Sequence, residues 1–395
     1  MNTPTDLSEN KPLLWLMAIA CGLCAGANYY SQPLIASIQS YFQVAQSDVA
    51  LTVTIAQVSY ALGLLFIVPL GDILNKSKFI PLLMFAAAIG LAICALSTNI
   101  TMLWIGTLMA GLFSVAAQVL IPLATMAVKP EKTGEVVGLL MSGLLVGILL
   151  STSIAGLLSN LVHWKLIYVL SSVLMLMIAV VLKSSLPHVS TPRLSYTEIL
   201  SSMFSLLKQE PRLVLRAYTG ACAFAAMSIL FSTIAILLGQ NFQLNDVMIG
   251  FVTLAGVFGA LSTKKIGKFA DQGHIWLISW AGLALMALSW LFLYFGQHSL
   301  ISYILGFAII NLGLAAIHSS NQNVIFRLRP DAKSRVNSIY MTMYFIGGAC
   351  GSALGIYAWH HGGWMMSCLT GMILVTLAAL FCWADFHVQH KANAE

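Results

Sequence analysis

Residues 129–147 read KPEKTGEVVGLLMSGLLVG, and residues 329–347 read RPDAKSRVNSIYMTMYFIG. Both open on a base, a proline and an acid, and both run into an apolar stretch. Val136, Met141 and Gly147 of the first fall on Val336, Met341 and Gly347 of the second. The same register holds elsewhere: Trp164 matches Trp364, and Phe42-Gln43-Val44 matches Phe242-Gln243-Leu244. After a two-residue gap, Ser47-Asp48-Val49 matches Asn245-Asp246-Val247, and Asp72 matches Asp271. One coincidence means little, but several in one register argue for two homologous halves. Such repeats mark secondary transporters, whose binding site lies between the halves near the midplane.

Composition says what the halves are made of. The chain has 395 residues, 59% hydrophobic and only 8% charged. A soluble domain carries about 25% charge, and the mean hydropathy is +0.88. A soluble globule, a disordered chain, collagen and a coiled coil are all excluded, because apolar runs of about 20 residues recur throughout. Lipid offers no partner to a backbone amide, so these runs must be helices; they are too long and uniform for barrel strands.

Twelve spans are expected, at about 13–38, 48–71, 79–98, 102–128, 135–158, 164–182, 213–238, 246–266, 275–296, 300–326, 336–358 and 364–385. The fold class is all-α and polytopic, with two pseudo-symmetric six-helix bundles. Residues 1–182 form the N-terminal bundle, 183–212 a cytoplasmic linker, and 213–395 the C-terminal bundle. Within the linker, Ser195-x-x-Glu198 is a capping-box pattern. It opens a stretch with Ile199, Met203, Leu206 and Leu207 at helical spacing, which Pro211 ends. That is a short interfacial helix.

With this topology, every lysine and arginine except Lys165 falls on one side, Arg193, Arg216 and Lys391 included. Both termini are therefore expected in the cytoplasm. The net charge of +6 is then a topology signal, not a sign of a nucleic-acid partner. The N-terminus carries Asp6 and Glu9 before Lys11, unlike a cleaved signal. The seven cysteines lie in or beside apolar segments without zinc spacing, and Cys21-x-x-Cys24 reads as small-residue packing.

After span 2 the chain reads Leu70-Gly71-Asp72-Ile73-Leu74-Asn75-Lys76-Ser77-Lys78, and after span 8 Gly267-Lys268-Phe269-Ala270-Asp271-Gln272-Gly273. These loops, with Asn28–Leu34, His318–Gln322 and Gly347–Ser352, resemble the major facilitator superfamily. The nearest branch is similar to the drug:proton antiporter-1 group, which includes arabinose-efflux-like permeases. The chain departs from the pattern at Val68, Ile73, Asn75 and Gln272, at Thr107 in place of an arginine, and at Leu144 in place of a proline. The resemblance implies alternating access by rocking bundles in the inner membrane, acting as a monomer without cofactor. It implies export of a small organic compound, with protons as the coupled partner. It also implies gating residues. Asp72 is expected near the positive start of span 11 and Arg335, and Asp271 near the start of span 5, latching the cytoplasmic side.

The polar residues point to the cargo site. Spans 3, 6, 9 and 12 are almost wholly apolar and suit lipid-facing positions, whereas spans 1, 2, 4, 10 and 11 carry amides, histidine and clustered tyrosines. Asn28 and Gln32 are one turn apart, Gln57 and Tyr60 share a face, and Ser114, Gln118 and Pro122 line one stripe. Asn311, His318, Asn321 and Gln322 share a broad face, and Tyr340 and Tyr344 are one turn apart. Gln118 and His318 are one repeat apart and are expected to face each other. Ser320 and Asn323 fall off that face. For any single amide, interhelical bonding stands beside cargo contact as a reading. Gly138, Gly143, Gly147 and Gly156, and Gly347, Gly348, Gly351 and Gly355, allow close helix approach on faces expected to slide during rocking.

All 13 acids are expected outside the membrane core, with Asp48 and Asp246 as helix caps. His318 is then the core side chain that titrates near neutral pH. Two readings stay open for it: a proton-coupling group, or a neutral ring bonded to an amide such as Gln118. Without fixed charge the site suits a neutral or amphipathic molecule. The alternative cargo is a sugar-, nucleoside- or amino-acid-type metabolite moved without protons. No HExxH, paired-aspartate or Ser–Lys pattern suggests an intramembrane enzyme, and no metal site is expected.

Overall fold

The computed structural model describes residues 7–187, 195–244 and 246–392. Asp6, Arg193 and Asn245 lie outside the described residues, as do the side chains of Ser47, Asp246, Val247 and Lys391. Among the described residues there are helices and turns but no strand.

In chain order the helices are α1 Lys11–Gly26, α2 Ile35–Phe42, α3 Gln46–Leu62, α4 Lys76–Leu96, α5 Ile100–Phe113, α6 Ala116–Met126, α7 Thr133–Leu161, α8 Leu166–Ser185, α9 Tyr196–Gln209, α10 Pro211–Phe242, α11 Asp246–Thr253, α12 Val257–Asp271, α13 Ile275–Phe295, α14 Leu300–Leu328 and α15 Lys333–Ala392. Four spans are each built from more than one piece. Span 1 is α1 and α2, joined through a 3-10 turn at Gln32–Leu34 where Pro33 withholds an N–H. Span 2 runs from α3 into a π turn at Gly63–Ile67 and a 3-10 turn at Val68–Asp72 that holds Pro69. Span 4 is α5 and α6, interrupted at Ser114 and Val115. Span 8 is α11 and α12, with a 3-10 turn at Leu254–Gly256. Backbone irregularity at membrane depth is tolerated where protein covers it or it lines a cavity.

The reverse happens in α15. Its 60 residues would make about 90 Å of straight helix, roughly three bilayer cores. It is two spans separated at Gly362 and Gly363, the latter at φ 61° and ψ −153°, a region that suits glycine alone. With α9 as the linker, the count of spans is twelve.

The repeat is visible in the backbone. Among the described residues, the non-glycine positions with positive φ are Gln43 and Gln243, both at 54°. Each is the left-handed C-cap of its helix. Matching 3-10 turns at Pro130–Lys132 and Pro330–Ala332 precede α7 and α15.

The chain divides into two compact units, Met1–Pro130 with Leu139–Ile199, and Glu131–Gly138 with Leu200–Glu395. In the first, a Cβ on Gly147 would run into the backbone of Gly22, and one on Gly26 would meet Ser151, so α1 and α7 pack at backbone distance. In the second, Gly347, Gly351 and Gly355 meet Ala221, Ala225 and Ile229 of α10 in the same manner. Gly138 meets Thr263 of α12, and Gly348 meets the Phe224 ring. Gly156 has only Pro33, at 3.8 Å, so close approach does not explain it.

Spans 3, 6 and 9 carry exposed apolar side chains such as Leu82, Val180 and Leu277. So does span 8, through Phe251 and Phe258. In the linker the capping box forms. The Ser195 N–H donates to Glu198 Oε2 at 2.7 Å, and the Glu198 N–H donates to Ser195 Oγ at 3.3 Å. Ile199, Met203 and Leu206 are buried, while Phe204 and Leu207 are exposed. Pro211 then takes the first position of α10, where its missing N–H costs nothing. Asp48 is not the cap of α3; Ala45 is, and Asp48 sits in the first turn, where a negative charge suits the helix dipole.

Candidate functional site

The first unit holds a polar cluster at its span breaks. The helix stops after Gly26, which places Asn28 in a turn. Its amide donates to Ser114 Oγ at 2.8 Å, at the break of span 4. Asn28 Oδ1 is buried without a partner. Asn28, Ser31 and Thr107 line a cavity of about 10 Å³, the size of one water. Four residues past that break, Gln118 Nε2 donates to the Tyr60 hydroxyl at 3.2 Å. Pro122 supplies no N–H to the Gln118 carbonyl one turn back, so the backbone is loosened there too.

Two expected pairings do not form in that unit. Asn28 and Gln32 were one turn apart only if the helix continued, and the break removes that spacing; Asn28 is buried and Gln32 exposed. Gln57 is also exposed, although Tyr60, three residues on, is buried.

The second unit holds the counterpart. His318 Nδ1 lies 3.0 Å from the Tyr340 hydroxyl. Asn321 Nδ2 donates to the same hydroxyl at 3.4 Å, and Gln322 Nε2 donates to Asn337 Oδ1 at 3.4 Å. The Tyr344 ring stacks on Phe224 with centroids 4.2 Å apart and stands 4.9 Å from the His318 ring. Tyr340 reaches α10 because Gly220 has no side chain: a Cβ there would sit 2.7 Å from the hydroxyl. Asn311 spends its amide on its own helix, donating to Phe307 O at 2.8 Å.

Beside this cluster is a charged group that sequence reasoning missed. Asp385, at the end of the last span, is fully buried in protein. Arg216 Nε donates to its Oδ2 at 2.6 Å, and Arg212 Nε to its Oδ1 at 2.8 Å. Arg216 is fully buried as well. Its NH1 donates to Ser279 Oγ at 2.9 Å and Asn321 Oδ1 at 3.2 Å, and its guanidinium stands 4.6 Å from the Trp276 ring centre. Two buried charges are costly unless paired and hydrogen-bonded on every side, and this pair nearly is. Arg212, 19% exposed, lines a cavity of about 340 Å³ with Trp276 and Gln389, so solvent reaches the outer guanidinium and stops short of Arg216. The available sequence signal was an arginine one turn inside a span and an aspartate at the end of another.

At the expected gate, Asp271 accepts from the Gly134 N–H at 2.9 Å and the Glu135 N–H at 3.0 Å, at the start of α7. Asn323 Nδ2 at 3.1 Å and Arg327 at 3.0 Å complete its shell. Asp72 is buried with Lys76 at 3.9 Å. Arg335 donates to Ser202 Oγ of α9 at 2.7 Å and to the Asp331 carbonyl at 3.4 Å. Asn75 caps α4 through the Ser77 N–H at 3.1 Å, which gives a role to the asparagine that departs from the motif.

Comparison with known proteins agrees with this architecture. The Major Facilitator Superfamily matches residues 17–352 and 221–394. The uncharacterized transporter YgaY of Escherichia coli O157:H7 is 43% identical over 383 residues, covering 96% of this chain and 97% of that protein. The inner membrane transport protein YnfM of Escherichia coli K12 is 24% identical over 88% of this chain and 84% of its own. Among solved structures, the proton:xylose symporter XylE superposes with a TM-score of 0.73 at 14% identity, over 94% of each chain. The human organic anion transporter MFSD10 gives 0.69 at 15%, over 94% of this chain and 98% of that one. At such identity the likeness is one of fold. Twelve spans, a repeated half and a match running through most of the sequence have one explanation: the chain is a multi-pass membrane protein and a transporter of the major facilitator superfamily.

Proposed function

We propose that this transporter moves a small organic compound across the bacterial inner membrane by alternating access, as a proton-coupled exporter of drug-like or amphipathic molecules. Both termini are cytoplasmic in this reading, which the placement of the bases supports. The observation that supports it best is a pair of buried polar clusters, one in each half, built around Gln118 and His318, which lie one repeat apart. Gln118 meets the hydroxyl of Tyr60, and His318 meets that of Tyr340. Asn28, Asn321, Gln322 and Tyr344 extend the two clusters, and Gln32 and Gln57 are exposed polar side chains on the same spans. Amides orient a ligand while aromatic rings supply contact area.

His318 is the proton-coupling residue in this reading, with Asp72, Asp271 and Arg335 as gating residues. The loop motifs, which resemble the drug:proton antiporter-1 branch, support this reading. A second reading, a metabolite carrier without proton coupling, is favoured by the number of neutral amides, which suit a hydroxylated cargo.

Counterflow in proteoliposomes against a panel of amphipathic drugs, sugars, nucleosides and amino acids decides the cargo. A pH jump with parent and His318→Gln decides the coupling. The proton reading expects a flattened pH profile in the variant; an unaltered profile leaves the neutral-histidine reading.

A further inference from the structure

We infer that the buried Arg216–Asp385 pair positions His318 from a distance, fixing the amide of Asn321, through it the hydroxyl of Tyr340, and thereby the Nε2–H tautomer of His318.

The chain of contacts starts at a charge. Asp385 holds Arg216 at 2.6 Å with neither side chain exposed. A guanidinium only donates, so the Asn321 atom 3.2 Å from Arg216 NH1 is the carbonyl oxygen. The NH2 end of that amide therefore faces the Tyr340 hydroxyl, 3.4 Å away. An amide NH2 only donates, so the phenol oxygen accepts there. His318 Nδ1, 3.0 Å away, is the acceptor that the contacts of Tyr340 offer its single phenol proton, and that proton is assigned to it. A neutral imidazole that accepts at Nδ1 carries its proton at Nε2. Gly220 lies against Tyr340, and the Tyr344 ring lies beside His318.

Arg216 and Asp385 are positioning residues in this account, because neither touches His318. Their consequence for transport rests on the reading of His318 as a cargo-site residue. The tautomer itself does not.

The test uses the full chain in lipid nanodiscs, labelled with 15N-histidine and observed by NMR above the ordinary imidazole range. The His318 resonances are those missing from His318→Gln. The expected result is an unprotonated Nδ1 and a protonated Nε2 in the parent. In Tyr340→Phe, in Asn321→Leu and in the charge-neutral pair Arg216→Gln with Asp385→Asn, the Nε2–H form falls from dominant to mixed with Nδ1–H. A parent in the Nδ1–H form overturns the proposal. So does an unchanged tautomer ratio in the folded variants. If the charge-neutral pair does not fold, the two single variants carry the test alone. Counterflow of the same variants in proteoliposomes reports on the cargo-site reading separately, so loss of one does not pass for loss of the other.

Discussion

The carboxylate of Asp271 accepts the backbone N–H of Gly134 at 2.9 Å, and with Glu135 it satisfies two donors that the start of α7 leaves open. The fit depends on glycine, since a Cβ on Gly134 would overlap the Gly267 carbonyl. Asp271→Asn keeps one acceptor, loses the charge and turns an NH2 toward existing donors. Hydrogen bonds to a charged group are worth about 1.5–3 kcal/mol, so the state that holds this contact should lose roughly tenfold in population. The expected outcome is normal expression with a clearly slower transport rate in proteoliposomes. Asp72→Asn should act in the same direction. Parental rates in both variants would remove the gating role.

The Arg216–Asp385 pair sets a second expectation, for stability. Removing one partner of a buried pair costs about 3–5 kcal/mol, because the other charge is left uncompensated. Asp385→Ala strands Arg216, whose burial is complete. Arg216→Met combined with Asp385→Leu removes both charges and should recover much of that loss. Recovery stays partial because Arg212 also loses its carboxylate. Thermal unfolding in detergent is the measurement: the midpoint should be lowest for Asp385→Ala and intermediate for the double variant. A single variant as stable as the parent contradicts the buried-pair account.

Much of the fold is legible because its signals are local. A run of apolar residues, a proline at Pro211 and a Ser195-x-x-Glu198 pattern each act within one or two helical turns, and the structure shows all three where the sequence places them. The repeat is legible because Gln43 and Gln243 keep both residue type and backbone. What failed is what depends on distant partners. Arg216 and Asp385 lie 169 residues apart, and a base near a span end reads as topology until its acid is found. The Asn28 and Gln32 spacing failed for a smaller reason. Pro33 sits in the 3-10 turn that breaks the span, and helical spacing does not run through it.

The capping box of α9 gives a pH dependence whose sign follows from one carboxylate. Hydrogen bonds from the backbone N–H and side chain of Ser195 hold the Glu198 carboxyl below the ordinary glutamate value. A depressed folded-state value adds stability that is present above the unfolded value and lost as pH falls through the folded one. The first turn of α9 should therefore fray on acidification below the usual carboxylate range. Hydrogen exchange at the amides of residues 198–201, read as protection relative to the intrinsic rate at each pH, checks it, with weaker protection expected at low pH and in Ser195→Ala. Equal protection across that pH range would count against the box.

Two glycines on one helix should respond in opposite ways to the same substitution. Alanine is the better helix former by about 1 kcal/mol, so a glycine with free space around it gains from the change. Gly156 has only Pro33 nearby, at 3.8 Å, and Gly156→Ala should be neutral or slightly stabilising. Gly147 lies against the backbone of Gly22, which cannot step aside as a side chain can. Forcing a methyl group into packed structure costs about 1–3 kcal/mol, which exceeds the propensity gain. Gly147→Ala should lower the unfolding midpoint in detergent and so should Gly347→Ala, whose methyl would meet the Ala221 carbonyl. Equal midpoints for Gly147→Ala and Gly156→Ala would mean that α1 and α7 do not pack at backbone distance.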